Sequence, residues 1–290
     1  MVSSKPDRTA QRTTDLDDLV SNALEEDLGV DGVDITTDAV VDPKLLGEAV
    51  IVARRPGVLA GANAAARVFE LVSPPCDYQE LLEDGVRVEP GDQVARVTGP
   101  LASILTAERT ALNFLQQLSG IATVTRRYAD ALAAYPKVTL LDTRKTTPGL
   151  RFLERAAVRA GGGNNHRDGL WDAILIKDNH VAAAGGVTAA IERARRARMP
   201  IEVEVETLEQ LGEALDAGAE TILLDNMSPE QMRRSVEITA GRARLEASGG
   251  MTLEGAVAAA QAGVDRISVG ALTHSAPALD LSLEVTKTWR

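Results

Sequence analysis

The chain has 290 residues, 44% hydrophobic but only 3% aromatic, so a sizeable core must be built from Ala, Val, Leu and Ile. A net charge of −11 argues against nucleic acid or an anionic membrane as the main partner. The lone cysteine, Cys76, excludes an intrachain disulfide, and no apolar run approaches membrane-spanning length.

Residues 1–14 are polar and lack the apolar core of a secretory signal, so a flexible tail on a cytoplasmic protein is expected. Residues 16–28 keep helical spacing, with Leu16, Leu19, Val20, Ala23 and Leu24 on one face. Asp15 is placed to cap this helix and Gly29 to end it. Residues 49–53, 57–61 and 94–99 read as strands, with a turn at Glu89-Pro90-Gly91-Asp92 and a helix over 62–71 among them. Cys76, after Pro74-Pro75, reads as a structural thiol in a loop. This first part, to about residue 105, reads as a small α+β domain without chemistry of its own. Over 106–134 a buried stripe of Leu112, Leu115, Leu118 and Ala122 predicts a long helix, with Ser119-Gly120 placed to kink or split it. Arg109 is a lone cation on that helix.

A repeating unit follows. Apolar strands are expected over 138–142, 173–177, 201–205, 221–225, 244–248 and 266–270. The last four recur about every 20 residues, the pitch of a short strand–helix unit. Helices over 188–198, 208–217 and 253–262 fill the gaps, with Gly218 and Gly263 as stops for two of them. Such alternation implies a parallel sheet and favours a closed or nearly closed α/β barrel. No G-x-G-x-x-G follows the first strand, against a dinucleotide-binding fold.

In such barrels chemistry sits at the C-terminal strand ends. Here those ends read Asp142-Thr143-Arg144-Lys145, Lys177-Asp178-Asn179-His180, Glu204-Val205-Glu206, Asp225-Asn226, Ser248-Gly249-Gly250 and Gly270-Ala271 with His274 nearby. Residues 142–178 hold seven Lys/Arg against five Asp/Glu, a net of +2 inside an acidic chain. Arg144 offers a planar fork and Lys145 a point charge for an anion, with the Thr143 hydroxyl between Asp142 and the cations. Asp142 is assigned to holding the strand end and its cations rather than to catalysis. Alternation on the third strand sends Glu202, Glu204 and Glu206 into the barrel, where they need cations, a metal or substrate hydroxyls. Gly161-Gly162-Gly163-Asn164-Asn165-His166-Arg167 combines close backbone approach with a run of donors. The three histidines, His166, His180 and His274, all fall in these segments, at no recognisable metal-ligand spacing. The Ser248-Gly249-Gly250 and Gly270-Ala271 segments offer free backbone N–H groups for a phosphate. The ligand so described carries a phosphate, further negative groups and hydroxyls or a cation.

Taken in order, these motifs resemble the quinolinate phosphoribosyltransferase family, from Glu26-Asp27-Leu28-Gly29 and Ala107-Glu108-Arg109-Thr110 through to Thr273-His274-Ser275. The match spans roughly residues 20–285. It implies an N-terminal α/β sandwich on an open six- or seven-stranded α/β barrel, and a reaction joining quinolinate to phosphoribosyl pyrophosphate with Mg²⁺ and loss of CO₂. The divisions expected are a tail over 1–14, the sandwich domain over 15–118, the catalytic barrel over 119–278, and a segment 279–290 returning to the first domain.

The resemblance further implies that Arg144, His166, Arg167 and Lys177 hold the quinolinate carboxylates, with Thr143 beside them. Lys145 would serve both substrates, and Glu204 and Asp225 the ribose hydroxyls and the surroundings of a Mg²⁺ carried mainly by substrate. Lys145, Glu204 and Asp225 are the catalytic candidates. Ser248, Gly249, Gly250, Gly270, Ala271 and His274 would cradle the 5′-phosphate. Arg109 would reach the active site of a partner subunit, making a homodimer. Two departures stand out: the loop at 30–33 is longer than the common form, and Gln117 replaces a frequent basic residue, so it receives no role. The alternatives are a paralogous phosphoribosyltransferase acting on nicotinate or associated with molybdenum transport, a Schiff-base aldolase using Lys177, and a silent metabolite binder.

Overall fold

The computed structural model describes residues 8–290, with side chains from Leu16 onward. Residues 1–7 of the expected tail lie outside the residues so described; residues 8–14, expected as flexible tail, are helical, and Asp15 lies within the first helix rather than capping its start. Two compact units are present, Met1–Thr123 with Pro277–Arg290, and Val124–Ala276.

In the first unit, α1 (Arg8–Leu28) starts upstream of the helix expected from Leu16. Next come α2 (Ile35–Val40), β1 (Leu46–Ala53), β2 (Gly57–Val58), α3 (Ala62–Leu71), β3 (Asp77–Glu80), β4 (Arg87–Val88), β5 (Gln93–Pro100) and α4 (Leu101–Ala131). Asp34 caps α2, its carboxylate accepting from the amides of Thr36 and Thr37. Val20 of α1, Ile51 of β1, Phe69 of α3, and Ile104 and Leu115 of α4 meet in one mainly aliphatic core, as a chain short of aromatics requires. The Phe69 and Tyr78 rings stack with centroids 5.9 Å apart. Cys76 is buried beside this core, and burial pushes its thiol up to about 11, consistent with a structural role.

Ser119-Gly120 does not split α4. Gly120 serves packing instead, because a Cβ there would stand 2.1 Å from the Pro277 carbonyl oxygen. The strand expected over 57–61 shortens to β2. β3 escapes sequence reading because, as Asp-Tyr-Gln-Glu on a sheet edge, it has no apolar alternation.

The second unit runs β6 (Thr139–Leu141), α5 (Arg151–Ala160), β7 (Ile174–Ile176), α6 (Asp178–Ala184), α7 (Val187–Ala194), β8 (Ile201–Val205), α8 (Leu208–Asp216), β9 (Thr221–Asp225), α9 (Pro229–Thr239), β10 (Arg244–Ser248), α10 (Leu253–Ala262), β11 (Arg266–Ser268) and α11 (Ala271–His274). All six strands pair in parallel in the order β6-β11-β10-β9-β8-β7. The outermost strands β6 and β7 do not pair with each other, so the barrel is open. A parallel bridge from Leu141 to Asn164 adds one short rung beside β6. Capping boxes at Thr207 and Ser228 start α8 and α9, and Gly263, at φ 96°, ends α10 as expected.

The final strand, β12 (Leu281–Trp289), belongs to the first unit, where the antiparallel order is β12-β1-β5-β3. Among the described residues, no helix is long and apolar enough to cross a membrane.

Candidate active site

Neighbouring strand ends of the open barrel are tied to one another. At β7 and β8, Lys177 pairs with Glu204, Nζ to Oε2 2.5 Å, and the Lys177 amide donates to His180 Nδ1 at 3.0 Å. At β9 and β10, the Asn226 amide donates to the Ser248 carbonyl at 3.0 Å, and Asn226 Nδ2 donates to Asp225 Oδ2 at 2.7 Å. Gly249 follows at φ 94°, where a Cβ would stand 2.2 Å from Asn226 Oδ1, so only glycine fits. At β11 and β6, the Thr273 hydroxyl donates to the Lys145 carbonyl at 2.8 Å. A Cβ at Gly270 would lie 3.1 Å from Lys145 Cδ and 3.2 Å from His274 Nε2, so Lys145 and His274 flank Gly270-Ala271. The Thr143 hydroxyl accepts from the Lys145 amide at 3.1 Å and so shapes that turn. Ser248 is half-buried and Gly250 exposed at the end of β10.

Arg144 and Arg167 are brought together although their charges repel. Burial, and after it the charge of Arg144, lower the pKa of Arg167. Arg167 spends one guanidinium nitrogen on the Ala173 carbonyl at 2.9 Å, while the buried Nε of Arg144 has no hydrogen-bond partner. Two half-buried guanidiniums with an unspent donor form a site shaped for an anion with more than one charge.

His166 is turned inward. Its Nε2 lies 3.0 Å from Glu202 Oε2 and 3.3 Å from Glu246 Oε1, and its Nδ1 accepts the Arg167 amide at 2.7 Å. Burial opposes a charged ring and Glu202 and Glu246 favour it; because Nδ1 must keep its lone pair to accept the Arg167 amide, the ring is the neutral tautomer with its proton on Nε2. Burial also raises the pKa of Glu202. Both nitrogens of His166 are thus occupied by protein, leaving Arg144 and Arg167 as the cations free for a carboxylate, with Lys177 held by Glu204.

His166, Glu202 and Glu246 bring one ligand atom each to within 4.8 Å of one another, close enough for a metal ion. The hydrogen bonding argues otherwise. The Arg167 amide at Nδ1 leaves the ring proton on Nε2, the atom that would have to ligate, whereas a metal-bound His donates from its second nitrogen. Glu246, fully buried with neither oxygen well hydrogen-bonded, stands in the fifth strand end as the sequence places it but received no role there, although it lies at period two before Ser248. Glu202 and Glu204 point inward and are buried as expected, but Glu206, past the end of β8, is exposed. Glu204 and Asp225 are the carboxylates at the C-terminal rim.

Asp142 holds something other than the strand-end cations. It is fully buried, and its oxygens accept from the His166 amide at 2.7 Å and Asn165 Nδ2 at 2.6 Å. Its ionic neighbour is Arg155 at 3.6 Å, a residue that sequence reasoning missed. Arg109 is exposed on α4, in the first unit.

Comparison with known proteins agrees with this geometry. Residues 121–284 match the family described as "Quinolinate phosphoribosyl transferase, C-terminal domain", and residues 34–119 match its N-terminal domain. A protein of Bacillus subtilis named "Probable nicotinate-nucleotide pyrophosphorylase [carboxylating]" is 45% identical over 273 residues, 92% of each chain. The Mycobacterium leprae "Nicotinate-nucleotide pyrophosphorylase [carboxylating]" is 46% identical over 92% of this chain and 96% of its own. The solved structure of the nicotinate-nucleotide pyrophosphorylase from Francisella tularensis superposes with a TM-score of 0.89 at 41% identity, covering 94% of this chain and 96% of that one. With both domains matched in sequence and the fold matched in space, the chain belongs to the quinolinate phosphoribosyltransferase family.

Proposed function

We propose that this chain transfers the phosphoribosyl group of phosphoribosyl pyrophosphate to the ring nitrogen of quinolinate, with loss of CO₂, giving nicotinate mononucleotide and pyrophosphate. The observation that carries this reading is the juxtaposition of Arg144 and Arg167, two guanidiniums whose repulsion a dicarboxylate would relieve. Lys177 stands at the end of β7, already charge-paired with Glu204. An ammonium held in that pair is not available as a free amine, which weighs against a Schiff-base aldolase.

In this reading the barrel positions two substrates and forms no covalent intermediate. The quinolinate nitrogen attacks the ribose anomeric carbon as the bond to pyrophosphate breaks, and positive charge develops on the sugar. Glu204 and Asp225 offer acceptors to the ribose hydroxyls. Lys145, flanking Gly270-Ala271 with His274, balances the charge of the departing pyrophosphate. Ser248, Gly249 and Gly250 cradle the 5′-phosphate with backbone N–H groups. The C2 carboxylate then leaves as CO₂, its bonding pair stays on C2 beside the quaternised nitrogen, and C2 takes a proton from solvent.

Hard carboxylate oxygens at Glu204 and Asp225 suit Mg²⁺ that brings most of its ligands from substrate phosphates and water. When bound, the ion would neutralise charge on the pyrophosphate. We assign exposed Arg109 to the site of a second copy, so the working form is a homodimer. We assign the enzyme to the cytoplasm, because its phosphorylated substrate does not cross membranes unaided. The deciding assay supplies quinolinate or nicotinate with phosphoribosyl pyrophosphate and Mg²⁺, and follows mononucleotide and CO₂. Quinolinate is expected to give both products; nicotinate turnover without CO₂ would move the chain to a different reaction.

A further inference from the structure

One helix, α5, reaches the carboxylate-binding segment with every arginine it carries. Arg151, Arg155 and Arg159 stand at i, i+4 and i+8, so they form one stripe along the helix. Arg151 Nε donates to the Thr146 hydroxyl at 3.0 Å and its Nη1 to the Asp168 carbonyl at 3.3 Å. Arg155 donates to the carbonyls of Arg167 at 2.8 Å and His166 at 2.5 Å, and pairs with Asp168 at 3.0 Å. Arg159 Nη1 donates to Asn165 Oδ1 at 2.5 Å. From the other side Asp142 accepts the His166 amide and the Asn165 side chain. Residues 166–168 are therefore gripped through their own main chain, and Asn165 through its side chain. Asp142 and Arg155, with side chains 0% and 7% exposed, form the buried centre of that grip.

We propose that Arg155, together with Asp142, is a positioning residue for acid recognition. The pair fixes the backbone on either side of His166 and Arg167 and so sets the affinity for the carboxylated substrate, without touching it. Main-chain anchoring explains why the segment can present Arg167 beside the like-charged Arg144: the repulsion is resisted by contacts that a side-chain rotation cannot release. The substrate part of this assignment rests on the phosphoribosyl-transfer reading; the grip itself rests on geometry alone.

Three variants separate the two. Arg155→Lys keeps the charge and loses the forked donors. Asp142→Asn/Arg155→Gln removes both charges together, which avoids stranding one buried ion. Arg159→Ala removes an outer contact only. In the ligand-free protein, hydrogen exchange at amides 165–168 should quicken at least tenfold in the double variant and less in the other two. With both substrates present, KM for quinolinate should rise about 10- to 100-fold in the double variant, the range expected when a binding group shifts by about 1 Å. KM for phosphoribosyl pyrophosphate should stay within twofold of the parent. If both KM values rise together, if quinolinate KM does not move, or if no variant folds, the pair holds the barrel as a whole and the assignment is wrong. Quickened exchange in a protein whose parent form consumes no quinolinate would leave the grip standing and remove its substrate.

Discussion

Lys177 and Glu204 meet across neighbouring parallel strands, with Nζ 2.5 Å from Oε2 and Glu204 itself only 8% exposed. A carboxylate so buried depends on its cation, because an unpaired buried charge is costly. Glu204→Gln should keep the fold and lower kcat/KM about 100-fold, as expected when one preorganised electrostatic contact is lost. Steady-state kinetics with each substrate varied in turn would check it. Activity within threefold of the parent would remove Glu204 from the catalytic set. In the parent protein, where the Lys177–Glu204 pair is intact, borohydride with a carbonyl compound should leave the mass of Lys177 unchanged.

Arg144→Ala tests the guanidinium pair. Removing one of two like charges relieves Arg167 while deleting half of the fork, so stability should hold within about 2 °C of Tm while turnover of quinolinate falls at least about 100-fold. Calorimetry and CO₂ release measure the two quantities. Near-normal turnover would contradict the role given to Arg144.

Arg109 provides a test of assembly. If it acts in a partner's site, Arg109→Ala and Arg144→Ala should each be nearly inactive alone. Mixing them after denaturation and refolding should recover about a quarter of parental activity, because half of the dimers formed are heterodimers and each of these carries one intact site. No recovery on mixing would confine Arg109 to its own subunit or to no site at all.

Glu154 supplies a pH signature. Its carboxyl is fully buried on α5, with Oε2 accepting the Thr147 amide at 3.2 Å and Oε1 unpartnered. Burial raises its pKa above the usual carboxylate range, and the Thr147 contacts only partly counter this. A carboxyl raised in the folded state contributes stability at low pH and loses it as pH climbs through the folded value. Glu154→Gln should therefore raise Tm by about 1–3 °C at pH 8 and leave it near the parent's at pH 4. A variant that is less stable at pH 8 than at pH 4, relative to the parent, would reverse the sign of the argument.

What could be seen in the sequence was the part written in periodicity. Strands β8, β9 and β10 and helix α10 carry uninterrupted apolar patterns, and their observed bounds match those expected. β12 was missed although Leu281, Leu283 and Val285 alternate with polar residues, a pattern the exposed second half of the strand does not continue. The strand-end residues were legible as a set because the barrel rule gathers them. The direction of His166 was not, since it depends on which of several buried carboxylates accepts its proton. Arg155 looked like one more surface arginine of a helix. Only its spacing with Arg151 and Arg159 hinted at a shared face, and nothing local told that this face met residues 165–168 rather than water. Glu206 was misplaced because alternation counted along β8 says nothing about where the strand stops.

The pairing of β12 with β1 has a further consequence for how the molecule is made. The four-stranded sheet receives its outer strand from residues 281–289, after every strand of the barrel has been synthesised. On the ribosome the barrel unit is thus complete while the earlier unit still exposes one flank of its central strand β1, whose inner residues are almost all buried in the finished protein. That open flank is a template for stray strand pairing until the last stretch of chain arrives, so the order of synthesis and the order of completion run in opposite directions.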